Sequence, residues 1–84
     1  MIVKVRLLAA AADAAGRSEV KVEAPEHTTL GELMEAVYSK APGLAELAKR
    51  IPLIVLVNGV RRGPEYRVRP GDEVAVMPPA GGGA

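Results

Sequence analysis

Thr29-Leu30-Gly31-Glu32-Leu33-Met34-Glu35-Ala36-Val37-Tyr38 is the stretch on which the fold turns. Thr29 followed by Glu32 three residues later forms a capping box, in which each residue satisfies a free backbone N–H of the other's turn. Leu30, Leu33, Met34, Val37 and Tyr38 recur at i, i+3, i+4, i+7 and i+8. They make one apolar stripe along a helix, which must lie on an apolar layer supplied by the rest of the chain. Ala41-Pro42-Gly43 ends this helix, and residues 44–50 carry a further short helical turn.

Upstream, residues 2–8 alternate. Ile2, Lys4 and Arg6 fall on one face, Val3, Val5 and Leu7 on the other, the period of a half-buried strand. Residues 9–15 are strong helix formers, and Gly16 is a C-terminal stop. Residues 18–23 alternate again, with Val20 and Val22 on one face, so the chain opens as an antiparallel hairpin with a helical connector.

Downstream, residues 53–57 are continuously apolar between Pro52 and Asn58-Gly59. Such a run predicts a strand buried on both faces, and Asn-Gly predicts a tight turn after it. Arg69-Pro70-Gly71-Asp72 has Pro and Gly placed for a type II turn. Residues 73–77 form the last strand, and Pro78-Pro79 cannot continue a sheet.

The order is β-β-α-β-β with short extra helices: an α+β chain whose mixed sheet packs on one main amphipathic helix, the β-grasp arrangement. In that arrangement the first strand lies inside the sheet beside the last. The expected organisation is a single domain over residues 1–77 and a flexible Pro-Pro/Gly-rich tail over residues 78–84.

The chain has 84 residues and a net charge of +1, with basic and acidic residues interspersed. Tyr38 and Tyr66 are its only aromatic residues, so the basic stripe with stacking side chains of a nucleic-acid binder is missing. It has no cysteine, and one histidine, His27, cannot build a zinc site. No segment has the length and apolarity of a membrane span. The N-terminus starts directly on a strand pattern without a signal-peptide layout, so a cytoplasmic location is expected.

No Ser-His-Asp set or clustered carboxylates offer catalysis. The chemistry-bearing feature is the C-terminal Pro78-Pro79-Ala80-Gly81-Gly82-Gly83-Ala84. A proline pair favours an extended backbone. Glycines reach backbone angles closed to other residues and present no side chain, so a terminal carboxylate could enter a narrow channel. A carboxylate is a poor acyl donor until adenylated, after which a sulfur nucleophile can convert it to a thiocarboxylate. Taken alone, a Gly-rich end is more readily a frayed terminus, and it is the fold read upstream that changes the balance.

At this point the chain resembles the family of ubiquitin-like sulfur carriers that includes the small subunit of molybdopterin synthase. The residues that carry the resemblance are Val3-Lys4-Val5-Arg6-Leu7-Leu8-Ala9, Ala15-Gly16, Thr28-Thr29-Leu30-Gly31-Glu32-Leu33, Val57-Asn58-Gly59, Pro70-Gly71-Asp72-Glu73-Val74-Ala75 and the run from Met77 to Gly83.

The resemblance implies a sulfur carrier for molybdenum or tungsten cofactor biosynthesis. Gly82 and Gly83 match the family's terminal pair. An adenylating, E1-like enzyme would activate Gly83 with ATP; the chain itself binds no cofactor or metal. The thiocarboxylate would then pass sulfur to a pterin precursor inside the large subunit of molybdopterin synthase, with which the family forms a dimer of heterodimers. Gly81, Gly82 and Gly83 would insert into the partner, and Leu8, Met77, Pro78 and Pro79 would contact it.

The chain departs from the family pattern in two places. Ala84 follows the expected terminal glycine, so it is trimmed, or the native tail ends differently, or the chain carries no sulfur. Residues 9–15 are almost all Ala where relatives carry larger, basic residues. The alternatives are a carrier for thiamine or tRNA thiolation, a ubiquitin-like protein modifier, and a non-catalytic β-grasp binding module. Arg61, Arg62, Arg67 and Arg69 are read first as a solvated turn region and second as a patch for an acidic partner.

Overall fold

The strand-forming segments fold as their alternation requires. In the computed structural model, which describes residues 1–79, β1 (Ile2–Leu7) pairs antiparallel with β2 (Glu19–Glu23), matching Val3 to Val22 and Val5 to Val20. Between them α1 (Ala10–Ala15) closes on Gly16, whose φ of 72° is the left-handed conformation of a helix C-cap. α2 (Leu30–Lys40) follows, then α3 (Pro42–Arg50), β3 (Ile54–Val57), β4 (Val60–Arg61) and β5 (Val74–Met77).

The sheet order is β2-β1-β5-β3-β4. β1 and β5 run parallel and β3 and β5 antiparallel, so the last strand of the chain is the middle of the sheet. This is the ubiquitin-like β-grasp fold. The first strand lies beside the last, as expected.

The capping box forms as read. Thr29 N–H donates to Glu32 Oε1 at 2.9 Å, and Glu32 N–H donates to Thr29 Oγ1 at 3.2 Å. The first of these bonds, reinforced by the Thr29 side chain, holds the Glu32 carboxyl below its ordinary value. Leu30, Leu33, Met34 and Val37 are buried against the inner face of the sheet, where they meet Val3, Val5, Leu7, Val20, Val22, Val57, Val74 and Val76. Tyr38 packs half-buried at the margin.

Both expected turns are present. Asn58 and Gly59 have φ of 52° and 78°, the double positive φ of a type I′ hairpin. Gly71 has φ 88°, with Asp72 N–H donating to Arg69 O at 3.1 Å, a type II turn.

Three expectations need correction. The Asn58-Gly59 turn closes on a fifth, two-residue strand, β4, because Val60 pairs back to Val57. Pro42 does not merely stop α2; it occupies the first turn of α3, where its missing N–H costs nothing. The run 53–57 is not buried on both faces: only Val57 is fully buried, and Ile54, Val55 and Leu56 are half-buried. All three helices lie on the inner side of the sheet, so Ile54 and Leu56 on the outer side have no layer above them.

Candidate docking surface

Strand alternation decides which side chains form the outer face of the sheet. On β1 these are Ile2, Lys4, Arg6 and, one residue beyond the strand, Leu8; on β5 Ala75 and Met77; on β3 Ile54 and Leu56. The register brings them together. Met77 lies opposite Ile54, Ala75 lies between Leu56 and Arg6, and Leu8 N–H donates to Val76 O at 2.9 Å, which sets Leu8 level with Met77.

The result is one apolar patch of Leu8, Ile54, Leu56, Ala75 and Met77. Leu8 is 39% exposed and the others are half-buried. Pro78 and Pro79, also half-buried, adjoin it where β5 ends. Of the contact residues expected from sequence, Leu8, Met77, Pro78 and Pro79 therefore fall in one place. Gly81, Gly82 and Gly83 lie outside the described residues.

Sequence reasoning missed Ile54, Leu56 and Ala75. A signal was available: a strand paired antiparallel on both sides ordinarily alternates apolar and polar, and residues 53–57 do not. Apolarity on an uncovered face is the mark of a binding surface.

Cations border this patch. Lys4 and Arg6 sit on β1, Lys21 sits opposite Lys4 on β2, and Arg61 sits opposite Leu56 on β4. Among the described residues the single ion pair is Lys49–Glu46, on α3, so none of these four cations has a carboxylate partner. The patch can thus combine apolar burial with attraction to a partner's carboxylates.

Two other arginines of the expected basic cluster, Arg62 and Arg67, are occupied locally. The Arg62 guanidinium lies 5.2 Å from the centre of the Tyr66 ring, and Arg67 Nη1 donates to His27 O at 2.9 Å. This region is organised around Asp72. Its Oδ2 accepts from Tyr66 Oη at 2.9 Å and from Arg69 N–H at 2.9 Å, and its Oδ1 accepts from Asn58 Nδ2 at 3.0 Å. Asn58 Oδ1 accepts in turn from Glu73 N–H at 2.9 Å. Burial pushes the Asp72 carboxyl up, but these donors outweigh it and hold the group below its ordinary value. The bond to Asp72 raises the Tyr66 phenol. Asp72 thus locks two turns at the end of β5 remote from the patch; it does not line the patch.

Among the described residues there is no group of three His, Cys, Asp or Glu placed to hold a metal, and no helix is long and apolar enough to cross a membrane. Residues 5–83 match the model of the ThiS family, a match that spans the strands, the main helix and the C-terminal glycines. The chain belongs to the ThiS family.

The ThiS-family chain is 32% identical over 82 residues to the human "Molybdopterin synthase sulfur carrier subunit", covering 96% of this chain and 93% of that one. Among solved structures, it superposes on the crystal structure of SAMP1, a small archaeal modifier protein, from Haloferax volcanii. That TM-score is 0.83 at 27% identity, covering 99% of this chain and 100% of the other. It also matches a putative molybdopterin converting factor, subunit 1, from Pyrococcus furiosus, with TM-score 0.78, 26% identity and coverage of 94% and 98%.

Proposed function

We propose that this chain is a sulfur carrier for molybdenum or tungsten cofactor biosynthesis, the sulfur-donating small subunit of a molybdopterin synthase. The observation that carries this reading is the near-full-length likeness to a curated sulfur carrier subunit, together with a family match that runs through Gly83. In this reading Ala84 is first removed. An adenylating enzyme then joins the Gly83 carboxylate to the AMP of ATP, releasing pyrophosphate. A sulfur-transfer system delivers sulfur at the sulfide level to the acyl carbon, the acyl–phosphate bond breaks with AMP as leaving group, and Gly83 ends as a thiocarboxylate.

The outer patch explains how such a chain engages its partners. Leu8, Ile54, Leu56, Ala75 and Met77 dock first on the activating enzyme and then on the synthase large subunit, with Pro78 and Pro79 at the exit of the tail. The same surface serves both encounters, so the two partners bind in turn. The thiocarboxylate sulfur bonds to a pterin precursor held by the large subunit, and water cleaves the acyl–sulfur bond, leaving the sulfur on the pterin and regenerating the carboxylate of Gly83.

The likeness to SAMP1 favours one second reading, a protein modifier. Activation is the same, but the acyl group of Gly83 passes to a lysine amine of a target protein.

Intact-mass measurement after incubation with host extract, ATP and a sulfur source separates the readings. Loss of Ala84 with one oxygen replaced by sulfur is the expected result. Sulfur gained with Ala84 retained moves the chemistry to Ala84, and covalent adducts with other proteins favour the modifier. An unchanged mass, beside a control carrier that is modified, overturns both in favour of a binding module.

A further inference from the structure

The free side of β2 is an unfinished edge. Leu7 N–H donates to Ser18 O, and Ala24 N–H donates to Met1 O. In an antiparallel ladder hydrogen-bonded pairs alternate with non-bonded ones, so Val3–Val22 and Val5–Val20 are also bonded pairs and Lys4–Lys21 is a non-bonded one. Glu19, Lys21 and Glu23 therefore turn their N–H and C=O groups away from β1. Arg17 Nε donates to Glu19 O at 3.0 Å. The backbone groups of Lys21 and Glu23 have no protein partner among the described residues.

Such an edge is a template for another strand, and proteins blunt it with proline, a bulge or repelling charge. β2 contains no proline, and its register with β1 runs without a bulge. Its exposed side chains, Glu19, Lys21 and Glu23, alternate in sign instead of repelling as a block. Lys21 stands directly opposite Lys4, an unfavourable placement of like charges, and among the described residues neither has a carboxylate partner. The edge thus carries free backbone groups and a cation pair that lacks an anion.

We propose that two copies of this chain pair through β2, antiparallel about Val20, joining their sheets into one. Glu19, Lys21 and Glu23 face the edge, so a bonded register must match these positions with one another. Centred on Lys21, the register sets Lys21 against Lys21 and Glu19 against Glu23. Centred on Glu19, it sets Glu19 against Glu19 and Lys21 against the Arg17 position. Centred on Val22, it matches Lys21 with Glu23 but sets Glu19 against Pro25, which has no N–H. Centred on Val20, it sets Glu19 opposite Lys21 twice and brings the Arg17 position level with Glu23 twice, so every opposed pair is of opposite sign. Glu19 of the second copy then supplies the carboxylate that Lys4 and Lys21 lack. The interface is isologous, as a twofold axis requires. β1 separates this edge from the apolar patch, so the patch stays open in both copies.

Sedimentation equilibrium of the full chain up to millimolar concentration tests the pairing. Lys21→Glu sets carboxylates opposite one another and should raise the dimer dissociation constant at least tenfold, because the twofold axis repeats the change; Glu19→Lys should do the same. An equimolar mixture of the two variants should associate again, as should the chain carrying both substitutions, because each restores opposite signs across the axis. In the unsubstituted dimer, amide exchange at Lys21 and Glu23 should slow as concentration rises, and a half-labelled sample should show a contact between Ser18 Hα of one copy and Val22 Hα of the other. A chain that stays monomeric at millimolar concentration, single variants that associate undiminished, a mixture that fails to associate, or contacts between copies centred on Leu56 and Met77 would each overturn the proposal.

Discussion

The backbone of Gly43, in the first turn of α3, rests directly against the carbonyl oxygen of Ala14 in α1. A Cβ on Gly43 would overlap that oxygen, which accounts for the glycine: α3 approaches the backbone of α1 at Ala14 and Ala15 too closely for a side chain at this position. Gly43→Ala gains about 1 kcal/mol of helix propensity but must push α3 away from α1. The net expected loss is about 1–3 kcal/mol, the usual cost of overpacking. Urea denaturation measures it, and an unchanged or raised midpoint would contradict the close approach.

Ala9 has φ 53° and ψ −130°, outside the regions open to a residue with a Cβ. It turns the chain from β1 into α1, directly after Leu8. Ala9→Gly should therefore stabilise the fold by about 1 kcal/mol, despite the higher entropy of glycine in the unfolded chain. A lowered melting temperature would show that the turn is unstrained.

Asp72 holds its carboxyl below the ordinary value, so it stabilises the fold when ionised. That stabilisation is present above the unfolded carboxyl value and disappears as pH falls through the lower folded one. Asp72→Asn should cost about 1–2 kcal/mol at neutral pH through the loss of charged hydrogen bonds to Tyr66, Arg69 and Asn58. The difference between the two proteins should shrink as pH drops below about 4, where the unfolded carboxyl protonates. A difference that stays constant into acid would remove the charge from the explanation.

Val76 and Leu56 test the two faces of the sheet. Val76 is fully buried, and Val76→Ala should cost about 2 kcal/mol as a cavity in the core. Leu56→Ser on the uncovered face should cost about 1–2 kcal/mol, because its half-buried side chain gives up part of a leucine's burial without leaving an enclosed cavity. In the proposed reading it should nevertheless weaken capture by a synthase large subunit about tenfold or more, as truncation of a central interface residue does. Calorimetric titration of both variants gives the comparison; equal effects on binding would move the docking surface elsewhere.

What could be read from the sequence was what is local. The capping box of Thr29 and Glu32, the Asn58-Gly59 turn and the Pro70-Gly71 turn each depend on a few consecutive residues, and each formed as read. The role of Gly43 could not be read, because it depends on Ala14, which is distant in the chain. Pro42 is equally at home after one helix and at the start of the next, so its residue type left the length of α3 open. Ile54 and Leu56 were misread for a different reason. An apolar side chain can be covered by its own chain or kept for another, and the period of the sequence is the same in both cases. Leu8 and Met77 were found through the resemblance and not through their pattern. The register of β5 then added Ile54, Leu56 and Ala75 to them.

β5 ends at Met77 with β1 on one flank and β3 on the other. A pull on the C-terminus is therefore carried along a strand held by two ladders and must shear both at once, where an edge strand would peel one bond at a time. In the proposed reading, an enzyme that grips the residues beyond β5 could pull on them without unravelling the domain behind, and the body of the protein would serve as a handle that bears load.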